Sequence, residues 1–160
     1  MRHPDTAFCF SDPAHLVALG FGAGLAPKAP GTVGTLVGFP LHATLALWLP
    51  SPWLVSLGLA ALFWLGVEWC GKTADDLGVH DHGAIVWDEV VAFALVLAWI
   101  PSGWPWALAA FLLFRLFVIA MPWPIRHFDR FVGGGWGIML DDLLAAGYTL
   151  GVLHLYRAFA

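Results

Sequence analysis

The adjacent carboxylates Asp88 and Glu89 are the residues of this sequence whose surroundings point most clearly to chemistry. They lie in the segment VWDEVVAF, inside an apolar run that covers residues 84–100. A charged group in apolar surroundings is costly unless it is paired, neutralised or bound to a cation. We therefore expect this pair to belong to a functional site.

Further carboxylates follow in the next polar loop and at the start of the last apolar run. Carboxylate oxygens are the ligands that a hard cation such as magnesium takes, usually with waters and a phosphate of the substrate. The predicted metal ligands are Asp88, Glu89, Asp129, Asp141 and Asp142. For Asp141 and Asp142 an alternative is equally open, because acids also favour the first turn of a solvated helix.

The segment 71–83 adds further titratable groups next to the carboxylate pair. Asp81 would share a helical face with Asp88 and Glu89 if their helix begins early. His80 or His82 could then give a proton to a leaving group. The alternative for either histidine is a surface imidazole in a loop bounded by glycines, and a zinc site here would lack a specific spacing.

Two segments carry residues suited to an anion. Residues 26–34 combine glycines with Lys28 and Thr32, which is the composition of a phosphate cradle without the spacing of a P-loop. Arg126 and Arg130 bracket Asp129, and guanidinium groups suit phosphate. The alternative for residues 26–34 is a turn-rich linker between helices. The alternative for the two arginines is a simple ion pair with Asp129. The predicted substrate-binding residues are Lys28, Thr32, Arg126 and Arg130.

The composition is that of a membrane protein. The 160 residues are 60% hydrophobic and 11% charged, with a mean hydropathy of +0.79, whereas soluble domains carry about 25% charged residues. No basic tail accompanies the net charge of -4, so we expect no nucleic-acid partner. Cys9 and Cys70 form neither a metal-ligand spacing nor a disulfide framework. No linker or repeat divides the chain, which predicts one domain over residues 1–160, and no cleaved targeting segment is expected.

The elements that must position these residues are helices. The sequence predicts an all-α integral membrane bundle of about four transmembrane or membrane-embedded helices. An N-terminal helix and a re-entrant Gly/Pro-rich loop over residues 20–38 would precede it. The apolar runs are mostly shorter than the roughly 20 residues that a straight span needs, so a compact helical protein in one leaflet is the alternative. The runs cover residues 35–49, 53–70, 84–100, 106–121 and 138–156.

Alternating helix directions would gather all eleven acids at or near one face, together with most of the basic residues. The Pro-bounded turns on the opposite side contain no Lys or Arg, and Trp53, Trp104 and Trp106 lie beside them. The positive-inside rule makes the charged face cytoplasmic. Cations and basic groups at the face of a membrane protein suggest hydrolysis of a phosphorylated lipid by metal-activated water. The membrane and a phospholipid substrate are then the expected partners, with no obligate protein partner.

Four sequence blocks together resemble the phosphatidylglycerophosphatase A family. They are GFGAGLAPKAPGTVGTLVG, GKTADDLGVHDHGAIVWDEVV, PWPIRHFDR and GGWGIMLDDLLA, and they occur in the family's order. The resemblance implies a magnesium-dependent phosphatase of the bacterial inner membrane that converts phosphatidylglycerophosphate to phosphatidylglycerol and phosphate. It also adds Lys72 and Asp76 to the catalytic set, which then comprises Asp81, His80, His82, Asp88, Lys72 and Asp76.

One block departs from the family pattern. The resemblance implies an aspartate at position 118 and a lysine at position 121, where this chain has Val118 and Met121. A catalytically impaired variant of the phosphatase fold is therefore one alternative. A small cation transporter or channel is another, although its acids would be expected at several depths rather than at one end.

Overall fold

A computed structural model describes residues 4–79, 82–125 and 131–159, and within them every regular element is helical. The all-α prediction is therefore confirmed for this part of the chain. The helices are α1 (Thr6–Cys9), α2 (Pro13–Ala18), a 3-10 segment (Gly20–Leu25), α3 (Pro30–Trp48), α4 (Pro52–Leu77), α5 (Trp87–Trp99), α6 (Trp104–Ala120) and α7 (Gly134–Phe159).

Local sequence signals set several of the helix ends. The Asp12 carboxylate accepts a hydrogen bond from the amide of Ala14, which caps α2. Ser51 caps α4 in the same way through the amide of Leu54. Gly78 ends α4 with a φ of 70°, a conformation that glycine adopts without steric cost.

The long helices alternate so that one end of the bundle collects the predicted site. Helix α3 runs parallel to α5, with Gly31 next to Glu89 and Gly38 next to Phe93. Helix α7 runs antiparallel to α4, because Gly135 lies against Gly71 and Met139 lies against Gly66. The start of α3 therefore lies beside the start of α5, and the starts of α5 and α7 lie against α4 near Gly66 and Gly71.

Helix α5 is the centre of the bundle and is buried along most of its length. One side of it packs with α3, α4 and α7 around Val90, Val91 and Met139. The other side packs with α6 and α7 around Phe93 and Phe114, which have no exposed surface. The side chains at the start of α5 are thus held on all sides by other helices.

Two predicted loops are partly helical. The prediction of a re-entrant loop over residues 20–38 is wrong for the second half of that range, because α3 begins at Pro30. Gly34 lies so close to Val86 that a Cβ atom would overlap it, so these glycines permit close helix packing rather than breaking the helix. Residues 71–77, predicted as a polar loop, continue α4 to Leu77.

Two helix starts also differ from the prediction. Helix α5 begins at Trp87, and residues 82–86 are not helical, so the early start that would place Asp81 on its face is wrong. Helix α7 begins at Gly134 with no acid in its first turn. Asp141 and Asp142 consequently lie inside α7 and are buried, which excludes the alternative of a solvated helix start.

Two of the described helices are long and apolar enough to cross a membrane, namely α4 and α7. Helix α6 has 17 residues, and α5, with 13 residues, would reach only about 20 Å of a hydrocarbon core about 30 Å thick. A bundle with four spans stays a prediction. At the end opposite the acids, Trp53 and Trp104 of the predicted aromatic belt are each more than 70% exposed, and so is Trp48. The third predicted residue, Trp106, is half-buried and packs against the core.

Candidate active site

Four of the five predicted metal ligands come together inside the bundle. Asp88 and Glu89 come from the first turn of α5, and Asp141 and Asp142 from the third turn of α7; each is at most 9% exposed. Asp142 lies within electrostatic range of the other three. We call these four residues the acid cluster. The fifth predicted ligand, Asp129, lies outside the described residues.

Arg115 from α6 partly balances the charge of the acid cluster. Its Nη1 atom donates a hydrogen bond to Glu89 Oε2 at 2.6 Å, and the Thr35 hydroxyl donates to the same oxygen at 2.7 Å. Both partners are largely buried, so the contact is a charge-assisted hydrogen bond in low-dielectric surroundings. Glu89 is thereby fixed between α3 and α6.

Arg115 and Thr35 were missing from the predicted site. The signal for Arg115 was present, because it is the one basic residue in the apolar run 106–121. Thr35 gave no signal, since a threonine in a Gly-rich segment has many ordinary roles. Their importance follows from packing between helices that are distant in sequence.

The two aspartates of α7 have an unusual local arrangement. The amide of Asp142 donates a hydrogen bond to Asp141 Oδ1 at 2.8 Å. Asp142 Oδ2 is buried and makes no hydrogen bond within the described residues. In that same part of the chain, no three Asp, Glu, His or Cys side chains lie in a grouping that could by itself hold a metal ion.

The first turns of α3 and α5 meet beside the acid cluster. A Cβ atom at Gly31 would overlap Glu89 Oε1, so the α3 backbone touches this carboxylate. Neither helix has a side-chain cap at its start, and uncapped N-terminal amides favour anions. Lys28 is exposed just before α3, and Thr32 is half-buried in its first turn. Two of the four predicted phosphate ligands, Lys28 and Thr32, therefore lie on the segment that contacts Glu89.

His82 shapes the turn that leads into α5. Its Nδ1 atom accepts a hydrogen bond from the amide of Ala84 at 3.1 Å. This contact gives the ring a role in the loop and fixes its orientation. The predicted residues His80, Asp81, Arg126 and Arg130 lie outside the described part of the chain, so their predicted roles stay predictions.

Lys72 and Asp76 contact the N-terminal helices. The Lys72 ammonium donates to Asp12 at 2.8 Å and to Asp76 at 3.0 Å. The buried His15 ring lies 2.8 Å from the same Asp76 carboxylate oxygen. Hydrogen bonds from Lys72 and from the amide of Ala14 lower the pKa of Asp12. These contacts support a role in docking α2 on α4, and the catalytic role of the two residues stays a prediction.

Val118 and Met121 belong to an apolar cluster. Both pack against the buried core that contains Phe114, Ile125 and Ala145. Val118 lies one turn after Arg115 on α6, so the two side chains share a face of the helix. An acid at position 118 would therefore lie near the arginine that holds Glu89.

Comparison with known proteins identifies the family. A family model described as phosphatidylglycerophosphatase A matches residues 16–157. The chain is 44% identical to phosphatidylglycerophosphatase A of Escherichia coli K12, over 96% of this chain and 90% of that protein. It is 52% identical to the protein of the same name from Haemophilus influenzae, over 87% and 85% of the two chains.

A third relative, from Bacteroides thetaiotaomicron, is provisionally named a phosphatidylinositol-3-phosphatase and is 34% identical, over 89% of this chain and 92% of the relative. No solved structure matches the chain. The family match covers both helices that contribute the acid cluster and the segment that contains Lys28 and Thr32. The chain belongs to the phosphatidylglycerophosphatase A family.

Proposed function

We propose that this protein removes the terminal phosphate of phosphatidylglycerophosphate, giving phosphatidylglycerol and inorganic phosphate. The observation that carries the proposal is the acid cluster, buried at the end of the bundle where the uncapped starts of α3 and α5 meet. Membership of the family and the names of the two phosphatidylglycerophosphatase relatives support the same lipid substrate.

Magnesium is the proposed cofactor, because the donor set fits a hard cation. The acid cluster holds four carboxylates close to one arginine, so it carries excess negative charge. The buried and unbonded Asp142 Oδ2 atom is also available to a ligand. No three described side chains could hold the ion by themselves, so we propose that Asp88, Asp141 and Asp142 contribute to the ligand set together with Glu89 and Asp129, as predicted. A bound magnesium ion would neutralise phosphoryl oxygens and lower the pKa of a water molecule.

The chain's own residues would orient the phosphate and stabilise its charge. The Gly31 amide at the start of α3 and the first-turn amides of α5 would present N–H donors, because Pro30 has none and the Thr32 amide donates to Ala29. Lys28 and Thr32 belong to the same segment as Gly31. Arg126 and Arg130 are proposed as further phosphate ligands, in agreement with the sequence prediction. Donors that are already in place when charge develops in the transition state are the larger part of phosphoryl-transfer catalysis.

Glu89 is proposed to be held in place rather than free to move. Arg115 and Thr35 both donate to its Oε2 atom, which leaves Oε1 directed at the start of α3 beside Gly31. A fixed carboxylate next to the phosphate site orients its neighbours without reorganisation during the reaction. Protonation of the departing glycerol oxygen is assigned to His80 or His82, with Asp81 beside them.

The acid end of the bundle is proposed to face the cytoplasm of a bacterial inner membrane. Lys28 and Lys72 lie at this end, whereas the described turns between α3 and α4 and between α5 and α6 contain no Lys or Arg. Arg157 near the end of α7 is the exception. Excess positive charge in short loops favours the cytoplasmic side.

The test is phosphate release from phosphatidylglycerophosphate in detergent, with and without magnesium, with phosphatidylinositol 3-phosphate as a second substrate. Asp88→Asn should lower kcat by about 10²-fold or more, whereas Glu68→Gln, which changes an exposed carboxylate of α4, should leave it unchanged. Wild-type turnover by Asp88→Asn would contradict the role of the acid cluster. Metal-dependent flux into liposomes without phosphate release would instead favour the transporter alternative.

A further inference from the structure

An apolar groove lies between α4, α5 and α7, next to the acid cluster. Its volume is about 400 Å³, and its walls include Leu59 and Phe63 of α4, Val91 and Leu95 of α5, and Leu143 of α7. The polar side chain at its far end, Ser56, accepts a hydrogen bond from Trp99 and donates one to Pro52. The groove therefore offers hydrocarbon contacts.

The groove is continuous with the acid cluster along α5. Val91 and Leu95 follow Asp88 by three and seven residues, so they lie on the same face of α5. Leu143 directly follows Asp142 on α7, so it lies at the same level of the bundle, although consecutive side chains of a helix point about 100° apart. The groove thus begins about one helical turn after Asp88 along α5. It extends to about 10 Å from Asp88, toward the end of the bundle opposite the acid cluster.

We propose that this groove holds an acyl chain of the lipid substrate while the phosphate lies at the acid cluster. The inference rests on the proposed function, which supplies a substrate with a phosphate at one end and hydrocarbon at the other. The site has charged and apolar parts in the same order as the lipid. The acid cluster lies at one end of the groove, and the rest of the groove is lined by apolar side chains. We name it the acyl groove.

An acyl chain bound in the acyl groove would favour the reaction by positioning the phosphate, and not by the hydrophobic free energy of removing the chain from water. Lipid tails are as apolar as the groove walls, so transfer from the bilayer supplies little hydrophobic free energy. A chain held in one place, however, fixes the phosphate relative to the carboxylates. Because a misplacement of about 1 Å can cost about 10²-fold in rate, the groove would contribute mainly to kcat/KM for lipids.

The chain provides a matched pair of variants for the test. Ala60 lines the acyl groove, whereas the neighbouring Ala61 is exposed on α4 and is not part of its lining. We expect Ala60→Trp to lower kcat/KM for phosphatidylglycerophosphate by at least about tenfold. Hydrolysis of the deacylated headgroup, glycerophosphoglycerophosphate, should be unchanged in this variant, and Ala61→Trp should resemble the wild type with both substrates. An equal loss with the deacylated substrate, or no loss with the lipid, would overturn the proposal.

A binding measurement separates this proposal from the proposed function. Phosphatidylglycerophosphate with a diazirine in the middle of one acyl chain should label α4 near Phe63 or α5 near Leu95 in the wild type. The label should be lost in Ala60→Trp and retained in Ala61→Trp. Labelling of other surfaces alone would overturn the acyl groove. Groove labelling without any phosphate release would support the groove and contradict the phosphatase activity.

Discussion

Arg115 Nη1 of α6 lies 2.6 Å from Glu89 Oε2 of α5 and joins the two helices through a largely buried ion pair. Removing one partner of a buried ion pair leaves the other charged and unpaired, at a cost of about 3–5 kcal/mol. We expect Arg115→Met to lower the free energy of unfolding by about this amount. Chemical denaturation in detergent measures the change.

The double variant Glu89→Gln with Arg115→Met is the control for this pair. Because the double variant leaves neither charge of the pair buried alone, its loss of unfolding free energy should be smaller than the sum of the losses of the two single variants. Additive losses would contradict a direct interaction. Arg115→Lys keeps the charge but not the planar geometry of the guanidinium, so it should recover only part of the stability.

Asp142 should limit the stability of the metal-free protein. Its carboxylate is buried among three other acids, so Asp142→Asn should raise the melting temperature in EDTA. Magnesium at a concentration of 100 times its Kd should stabilise the wild type by about 2.7 kcal/mol and so raise its melting temperature. It should have little effect on the melting temperature of the variant. Asp75→Asn, which changes an exposed acid of α4, should behave as the wild type. An unchanged response to magnesium in Asp142→Asn would contradict its role as a ligand.

Gly31 should tolerate no side chain, because its backbone touches Glu89. A Cβ atom here would overlap Oε1 of that carboxylate, which cannot move away freely because Arg115 and Thr35 hold its other oxygen. Overpacking against a held group costs about 1–3 kcal/mol. We expect Gly31→Ala to lower both stability and kcat. Gly147→Ala provides the matched control, since its Cβ atom would meet open space on α7 and should stabilise the helix slightly. Equal behaviour of the two variants would contradict the close approach of α3 to Glu89.

Lys72 tests whether a predicted catalytic residue has a structural role. Lys72→Met removes the hydrogen bonds to Asp12 and Asp76, so we expect less protection of α2 from hydrogen exchange and a kcat within about threefold of the wild type. A loss of activity by about 10²-fold with unchanged protection of α2 would restore the catalytic prediction.

The stability that the Lys72–Asp12 ion pair contributes should decrease at acidic pH. Because the folded pKa of Asp12 is lowered, mainly by Lys72, its contribution is present above the ordinary aspartate pKa. It is lost as pH falls through the lower folded value. The stability of Lys72→Met should therefore change less than that of the wild type across this acidic range, as measured by denaturation at a series of pH values.

Val118 and Met121 test the alternative of an impaired enzyme. The double variant Val118→Asp with Met121→Lys introduces the two residues that the resemblance implies. Position 118 lies one turn from Arg115 on α6, so the new acid would have a basic neighbour. We expect kcat/KM for phosphatidylglycerophosphate to rise at least about tenfold, with Val118→Asn and Met121→Gln together as the uncharged control. No gain would contradict the impaired-enzyme alternative and leave the two departures from the family pattern unexplained.

The sequence by itself determined the helical class, the apolar character and the family, and it singled out the four acids that the structure brings together in the acid cluster. These depend on composition and on patterns within single segments, such as the Asp88–Glu89 pair in an apolar run. The glycines of residues 20–38 were harder to interpret, because the same residue can break a helix or allow two helices to touch. Gly31 and Gly34 do the second, which only the position of α5 reveals.

Tertiary structure decided which charges meet. Arg115 and Thr35 reach Glu89 from positions 26 and 54 residues away in the sequence, whereas Lys72 and Asp76 turn to the N-terminal helices. Hydrogen bonds and ion pairs act over a few ångströms, so their partners follow from the directions and contacts of packed helices. No spacing along the chain contains that information.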